Sequence, residues 1–296
     1  MSWNVAFYGK WIPLGKKSSE TDVMLASHAS SEGVFSFAAP AMYPDKIHSL
    51  VMPAMLADLA IVHYTPELSG AALGETLVLL DLLKKPGFFV MGGGDPELLD
   101  KFTRGSSLAP WARVDANEVI IKEEIKKYPV AGTGCEGPAK VMVDAAFEVK
   151  SVGTVVLGVV KRGSIKVYDK LTAYPSGKEV VVKSIQKQDK DFKDAAAGDR
   201  VGLALKNAEV DDVQRGTLLS AEPIPSSKEF PAKITLSPLI KALPADLHLC
   251  LGLQWGGVRQ LDGKFKSESA WALDGAGILC HSTKPGSLRI LGKVDV

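Results

Sequence analysis

The sequence predicts an α/β domain followed by two all-β barrels, and three observations carry that expectation. Over the first 130 residues, short β-branched or aromatic runs alternate with helical patterns, as in a parallel sheet built from βα units. From Lys140 onward, Gly and Pro punctuate short strands rich in Val and Ile, at the spacing of a barrel or sandwich. Two breaks, Ala131-Gly-Thr-Gly-Cys-Glu-Gly-Pro138 and Glu222-Pro-Ile-Pro-Ser-Ser227, divide these regions. The expected organisation is an α/β domain over 1–130, a linker over 131–139, a barrel over 140–222 and a second barrel over 223–296.

In chain order, Val5 to Tyr8 reads as a first strand. Ser18 to Ser30 reads as a helix, with Ser18 or Ser19 as N-cap and Glu20 and Asp22 in its first turn. Val34 to Phe37 follows as a strand, Pro44 to Leu56 as a helix interrupted by Pro53, and Leu59 to Tyr64 as a strand. Ala71 to Lys84 is a helix, Phe88 to Met91 a strand, and Pro96 to Phe102 and Asn117 to Tyr128 complete the helices. The linker carries too little apolar surface to pack and too many glycines to hold one conformation. Barrel strands are expected at Val141 to Val149, Thr154 to Lys161, Lys170 to Pro175, Lys178 to Gln186 and Arg200 to Leu205, then at Ala232 to Leu236 and Leu247 to Leu253. In the last of these, leucines alternate with His248, Cys250 and Gly252, which marks a strand with one buried face.

With 46% hydrophobic and 23% charged residues, the composition is globular rather than disordered. The overall charge of +1 divides into −4 over residues 1–139, +2 over 140–222 and +3 over 223–296, so nucleic-acid contact belongs on the C-terminal half. Cys135, Cys250 and Cys280 are far apart and odd in number, a pattern of reduced thiols rather than of a zinc site. His28, His48, His63, His248 and His281 are dispersed, and no metal site is expected. The N-terminus lacks a basic region followed by a long apolar run, and no stretch reaches the ~18 apolar residues of a membrane helix. A cytoplasmic protein without membrane or DNA partners is the expectation.

One segment resembles a known family. Between Asp144 and Ser220 stand Phe147-x-Val149, Gly153-Thr-Val-Val156, Gly158-x-Val160, Arg162-Gly163-x-Ile165-Lys-Val167, Asp169-x-Leu171, Val182-Lys-Ser-Ile-Gln186, Ala197-Gly-Asp-Arg-Val-Gly202 and Arg215-Gly216-x-Leu218. These resemble the second domain of the translation elongation factor Tu family, and the Val182 and Ala197 runs are most similar to archaeal selenocysteine-specific elongation factors. The resemblance implies a P-loop GTPase-like domain before this barrel and a second barrel after it. It also implies tRNA, another RNA, the ribosome or other translation factors as partners.

The GTPase motifs of that family are degenerate here. Gly15 and Lys16 match the end of the phosphate loop, but Lys17 takes the place of the magnesium-binding hydroxyl, or else one inserted residue displaces Ser18. Gly15, Lys16, Lys17 and Ser18 are therefore either a residual anion site at a helix N-terminus or a solvated basic turn. About twenty residues separate this loop from Phe35, too few for the first switch segment and its strand. Where the family has Asp-x-Pro-Gly-His stands Ala38-Ala-Pro-Ala-Met42, and where it has Asn-Lys-x-Asp stands Gly92-Gly-Gly-Asp95. Asp95 alone remains to accept bonds from a guanine edge. The resemblance thus implies no catalytic residue, no cofactor, GTP being the one candidate, and binding of RNA or the ribosome without hydrolysis; the alternatives are a protein-interaction module acting on other translation factors and a GTP-binding elongation factor with unorthodox motifs. Gln186, with Lys183 and Arg200 nearby in the motifs, falls beside the family's pocket for the terminal adenosine of tRNA and is the candidate RNA contact; a surface-strand glutamine is the alternative.

Overall fold

The computed structural model of the chain describes residues 1–68, 70–261, 263–281 and 287–296. Ser2–Gly9 (β1), Lys16–Glu20 (β2), Val23–Ser30 (β3), Gly33–Pro40 (β4), Leu59–Tyr64 (β5), Gly87–Met91 (β6) and Ala112–Asp115 (β7) form one sheet in the order β2-β3-β4-β1-β5-β6-β7. The five strands from β4 to β7 in that order are parallel, whereas β2, β3 and β4 are antiparallel neighbours. Helices Ile47–Leu56 (α1), Gly70–Leu83 (α2), Pro96–Thr103 (α3) and Glu118–Lys126 (α4) connect or follow the later strands.

The helix expected over Ser18 to Ser30 is absent, and the segment forms the β2–β3 hairpin instead. Serines and carboxylates at its start imitate an N-cap, but Val23 to Ala26 are buried by pairing with β4 and by side chains on both faces of the sheet. Tertiary burial overrides the local signal.

Alternation along β1 divides the core in two. Val5 and Phe7 point to a face that they share with Phe35, Phe37, Ile61 and Phe88, covered by Ile121 and Ile125 of α4. Ala6 and Tyr8 face α1 and α2, and this second core extends into the rest of the chain, taking in Val159, Cys250, Leu253, Ile278, Cys280 and Ile290.

Lys140–Val149 (β8), Gly153–Arg162 (β9), Ser164–Lys166 (β10), Lys170–Tyr174 (β11), Lys178–Lys187 (β12), Lys190–Phe192 (β13), Asp194–Ala196 (β14), Arg200–Lys206 (β15) and Leu218–Ser220 (β16) build the next unit. Because β11 pairs with both β16 and β12, the sheet β11-β16-β8-β9-β15-β12 closes into a barrel. Its interior is aliphatic, with Val141, Val156, Val160, Ile165, Val180, Ile185 and Leu203 fully enclosed.

The segment 131–139 is not a loose tether. Gly132 and Gly198, both at positive φ, bring two turns so close that an added Cβ at Gly132 would lie 2.0 Å from Ala197 O, and one at Gly198 would lie 2.2 Å from Ala131 O. Its glycines serve close backbone approach to the barrel.

Ser226–Pro231 (β17), Lys233–Leu236 (β18), Leu247–Leu251 (β19), Gln254–Leu261 (β20), Lys264–Ala272 (β21), Ala276–Cys280 (β22) and Ile290–Asp295 (β23) follow, in the order β17-β21-β20-β19-β22-β23-β18. The chain passes from β17 directly into β18, so the two ends of this sheet are covalently joined around a core of Phe230, Leu249, Phe265 and Leu279.

Polar clusters tie the units together. Arg289 donates Nε to Glu75 Oε1 at 2.9 Å and Nη2 to Oε2 at 2.7 Å, with both side chains at most 2% exposed. Tyr43 Oη donates to the same carboxylate at 2.9 Å. Elsewhere Arg215 donates to Asp22 at 3.0 Å and to Thr21 at 2.8 Å, and Lys46 reaches Asp22 at 2.9 Å. Burial raises the Asp22 carboxyl, but Lys46, His48 and Arg215 together outweigh it and hold the group below its usual range.

Candidate functional site

In open α/β sheets ligands bind beyond the carboxyl ends of the parallel strands. Here that edge is made by Gly9, His63 to Thr65 and Met91 to Asp95, because Gly9 pairs with His63 and His63 with Val90. The segment that would carry a phosphate loop and its helix does neither. From Gly9 the chain turns back, crosses one face of the sheet through Lys10 to Gly15, and enters β2 at the opposite end. Register fixes this: Lys16 pairs with Ser27, Ser27 with Ser36, and Ser36 with Asn4 near the beginning of β1.

The strap is held by its own apolar residues. Leu14 is fully buried, and Trp11 meets Phe7 and Phe37 edge-on at 5.0 and 5.8 Å between ring centroids. Trp11-Ile-Pro-Leu14 thus covers the face that a helix would otherwise cover.

Gly15, Lys16, Lys17 and Ser18 consequently lie in or beside an edge strand, at the far end of the sheet from Asp95. The expected helix N-terminus does not exist there. Lys16 and Lys17 are exposed, Lys17 lies 3.4 Å from Glu20, and Ser18 Oγ donates to Leu25 O at 3.4 Å.

Asp95 has another partner. Its carboxylate accepts from Glu97 N at 2.9 Å and caps α3, with Pro96 in the first turn, the arrangement that an Asp-Pro-Glu start favours. The glycines before it admit close packing: a Cβ at Gly92 would lie 2.3 Å from His63 Nε2, and one at Gly94 would lie 2.5 Å from the Tyr64 ring. His63 is itself oriented by a 2.6 Å contact between Nδ1 and Lys10 O. At the other motif position, Ala41 N and Met42 N donate to Ser49 Oγ, which pins this turn to α1.

The three candidates on the barrel separate in the same way. Gln186 is exposed on β12, and its amide donates to Asp191 across the β12–β13 pair at 2.9 Å. Lys183 is exposed and donates to Val152 O at 3.0 Å. Arg200 makes a bidentate pair with the buried Asp144, at 2.6 and 3.0 Å, which links β15 to β8 across the intervening β9.

Two arrangements escape the sequence. His48 and His248, 200 positions apart, each lie 5.1 Å from the Trp255 ring, and burial depresses both imidazoles below their ordinary range. Second, a groove of about 1110 Å³ runs between the barrel turn Asp211–Thr217 and the strands β20 and β21. Nothing local marks the groove. Among the described residues no group of three or more His, Cys, Asp or Glu is placed to hold a metal ion, and no helix is long and apolar enough to cross a membrane.

Comparison with known proteins adds to this geometry. Residues 153–220 match the family model described as elongation factor Tu domain 2. An uncharacterized protein of Methanocaldococcus jannaschii is 32% identical over 289 residues, covering 94% of this chain and 93% of that protein. The selenocysteine-specific elongation factor of the same organism is 40% identical over 138 residues, which is 45% of this chain but only 27% of that factor. Translation elongation factor SelB from Methanococcus maripaludis, in its apo form, has the same fold, with a TM-score of 0.77 at 19% identity over 100% of this chain and 80% of that one.

Proposed function

We propose that this chain, which belongs to the translation elongation factor Tu family, is a cytoplasmic homologue that binds tRNA or other RNA, or the ribosome, through its barrels without hydrolysing GTP. The observation that carries the reading is the strap. By crossing the sheet, residues 10–15 take Gly15 and Lys16 away from the edge where Asp95 stands, so these two residues bring neither backbone amides nor an ammonium to a phosphate there. The barrel surface, by contrast, keeps Gln186 and Lys183 exposed, in units whose net charges are +2 and +3.

Titration of the full chain with aminoacylated and bare tRNA at two salt concentrations tests this. Counterion release makes RNA binding fall with salt, while apolar protein contacts respond far less. Binding to neither tRNA at low salt removes tRNA as the partner. Magnesium-dependent GTP turnover above background overturns the non-hydrolysing part.

A further inference from the structure

The strands β20 and β21 part company. Their backbone ladder runs only from Arg259–Lys266 to Leu261–Lys264. Beyond it, Gln254 to Val258 stay with β19, while Trp271 and Ala272 pair with β17. At the far end the Gln254 carboxamide bridges the gap, donating Nε2 to Ala272 O at 3.0 Å and accepting from Ala272 N at 2.8 Å. Between ladder and bridge, Trp255 to Val258 face Ser267 to Ala270, and these four β21 residues have no strand partner among the described residues. Trp271 is buried beneath, its ring 3.2 Å from where a Gly256 Cβ would stand.

Peptide groups along a strand point alternately to its two sides, so half of those in 254–258 turn away from β19 toward this opening. An unpaired strand edge recruits another strand. Gly256 and Gly257 present no side chain against such an addition, and nothing lies within 4 Å of a Cβ built at Gly257.

Charge selects the occupant. Of the groove's charged residues, Arg215 is paired with Asp22, Lys266 with Glu229 and Asp212 with Lys178. Among the described residues this leaves Asp211, Asp246 and Glu268 without a cationic partner, against Arg259 alone without an anionic one. The excess is acidic. It disfavours a polyanion and favours a cationic chain.

We propose that this opening takes up an extended, Lys- or Arg-rich segment of a partner protein, which adds as a strand between β20 and β21. The proposal is independent of RNA binding by the preceding barrel.

Fluorescence anisotropy on the full chain tests it, with a labelled heptapeptide Lys-Val-Lys-Val-Lys-Val-Lys as probe. A second peptide, N-methylated at each valine, keeps the charge but cannot donate those ladder bonds. The expected result is saturable binding of the first peptide, weakened about tenfold or more by N-methylation and by Asp246→Lys with Glu268→Lys, two exposed positions. Equal binding of both peptides, or no saturation by about 1 mM, overturns strand addition. Competition by single-stranded oligouridine overturns the choice of a peptide. Concentration-dependent self-association that the charge reversal abolishes assigns the opening to a second copy of this chain instead.

Discussion

Glu75 and Arg289, 214 positions apart, form a closed bidentate pair between α2 and the start of β23, shielded from solvent on both sides. Burial opposes the Arg289 charge, and the Glu75 carboxylate more than offsets it. Removing one partner strands a buried charge, so Glu75→Leu should cost about 3–5 kcal/mol. Adding Arg289→Met should restore most of that loss. Denaturant unfolding of the two variants checks this, and an undiminished loss in the double variant counts against a charge-based explanation.

GTP turnover should stay at background, because the strap leaves Gly15 and Lys16 at the wrong end of the sheet for a nucleotide at Asp95. Phosphate release measured with and without magnesium, on the parent and on Lys16→Ala, is the check. Magnesium-dependent release that disappears in Lys16→Ala would refute the prediction.

Asp95→Ala should destabilise the protein by about 1 kcal/mol through loss of the α3 cap. Asp95→Asn should retain most of the stability, since a carboxamide oxygen also accepts from Glu97 N. Thermal unfolding separates the two.

Gln186→Ala should weaken binding of aminoacylated tRNA by about 1 kcal/mol, the worth of one net hydrogen bond, and leave unfolding unchanged. Arg200→Met should do the reverse, lowering stability by leaving Asp144 buried without its partner. A binding titration and an unfolding curve for each variant distinguish a surface contact from a structural one.

Lys85 gives a pH signature. Its ammonium donates to Ala57 O beside Lys161, and burial first, then the neighbouring charge, depresses it from the ordinary 10.5 to about 8. Between those values the unfolded chain holds a proton that the folded chain has lost, so this group adds stability as pH rises through the window. The stability difference between the parent and Lys85→Met should therefore grow in the parent's favour from about pH 8 to 10.5. A flat difference would place the ammonium in solvent.

Much of this architecture was legible. Leu59 to Tyr64 reads as a buried strand because its run is short, apolar and β-branched, and it is one. The Gly-bounded turns after Arg162 and Arg215 identify the barrel. The β2–β3 hairpin was not legible, since its residues take their conformation from β4, a partner whose burial the local pattern does not encode. The Arg200 ion pair was not legible for a related reason: its partner Asp144 stands 56 positions away. The Asp95 cap was legible, because Asp-Pro-Glu before an amphipathic run is a cap signal in its own right.

The strap also fixes a length. Five residues along β1 separate the levels of Gly9 and Asn4, about 17 Å, and three strand spacings separate β1 from β2, about 14 Å. The diagonal is about 22 Å, and the seven links from Gly9 to Lys16 reach only about 23–25 Å when fully extended. A turn in which Leu14 N donates to Ile12 O takes up part of that reach, so the segment is a span with little slack. Deleting a single residue between Lys10 and Gly15 should therefore disturb β2 more than inserting one, so tolerance to changes in length here should be lopsided.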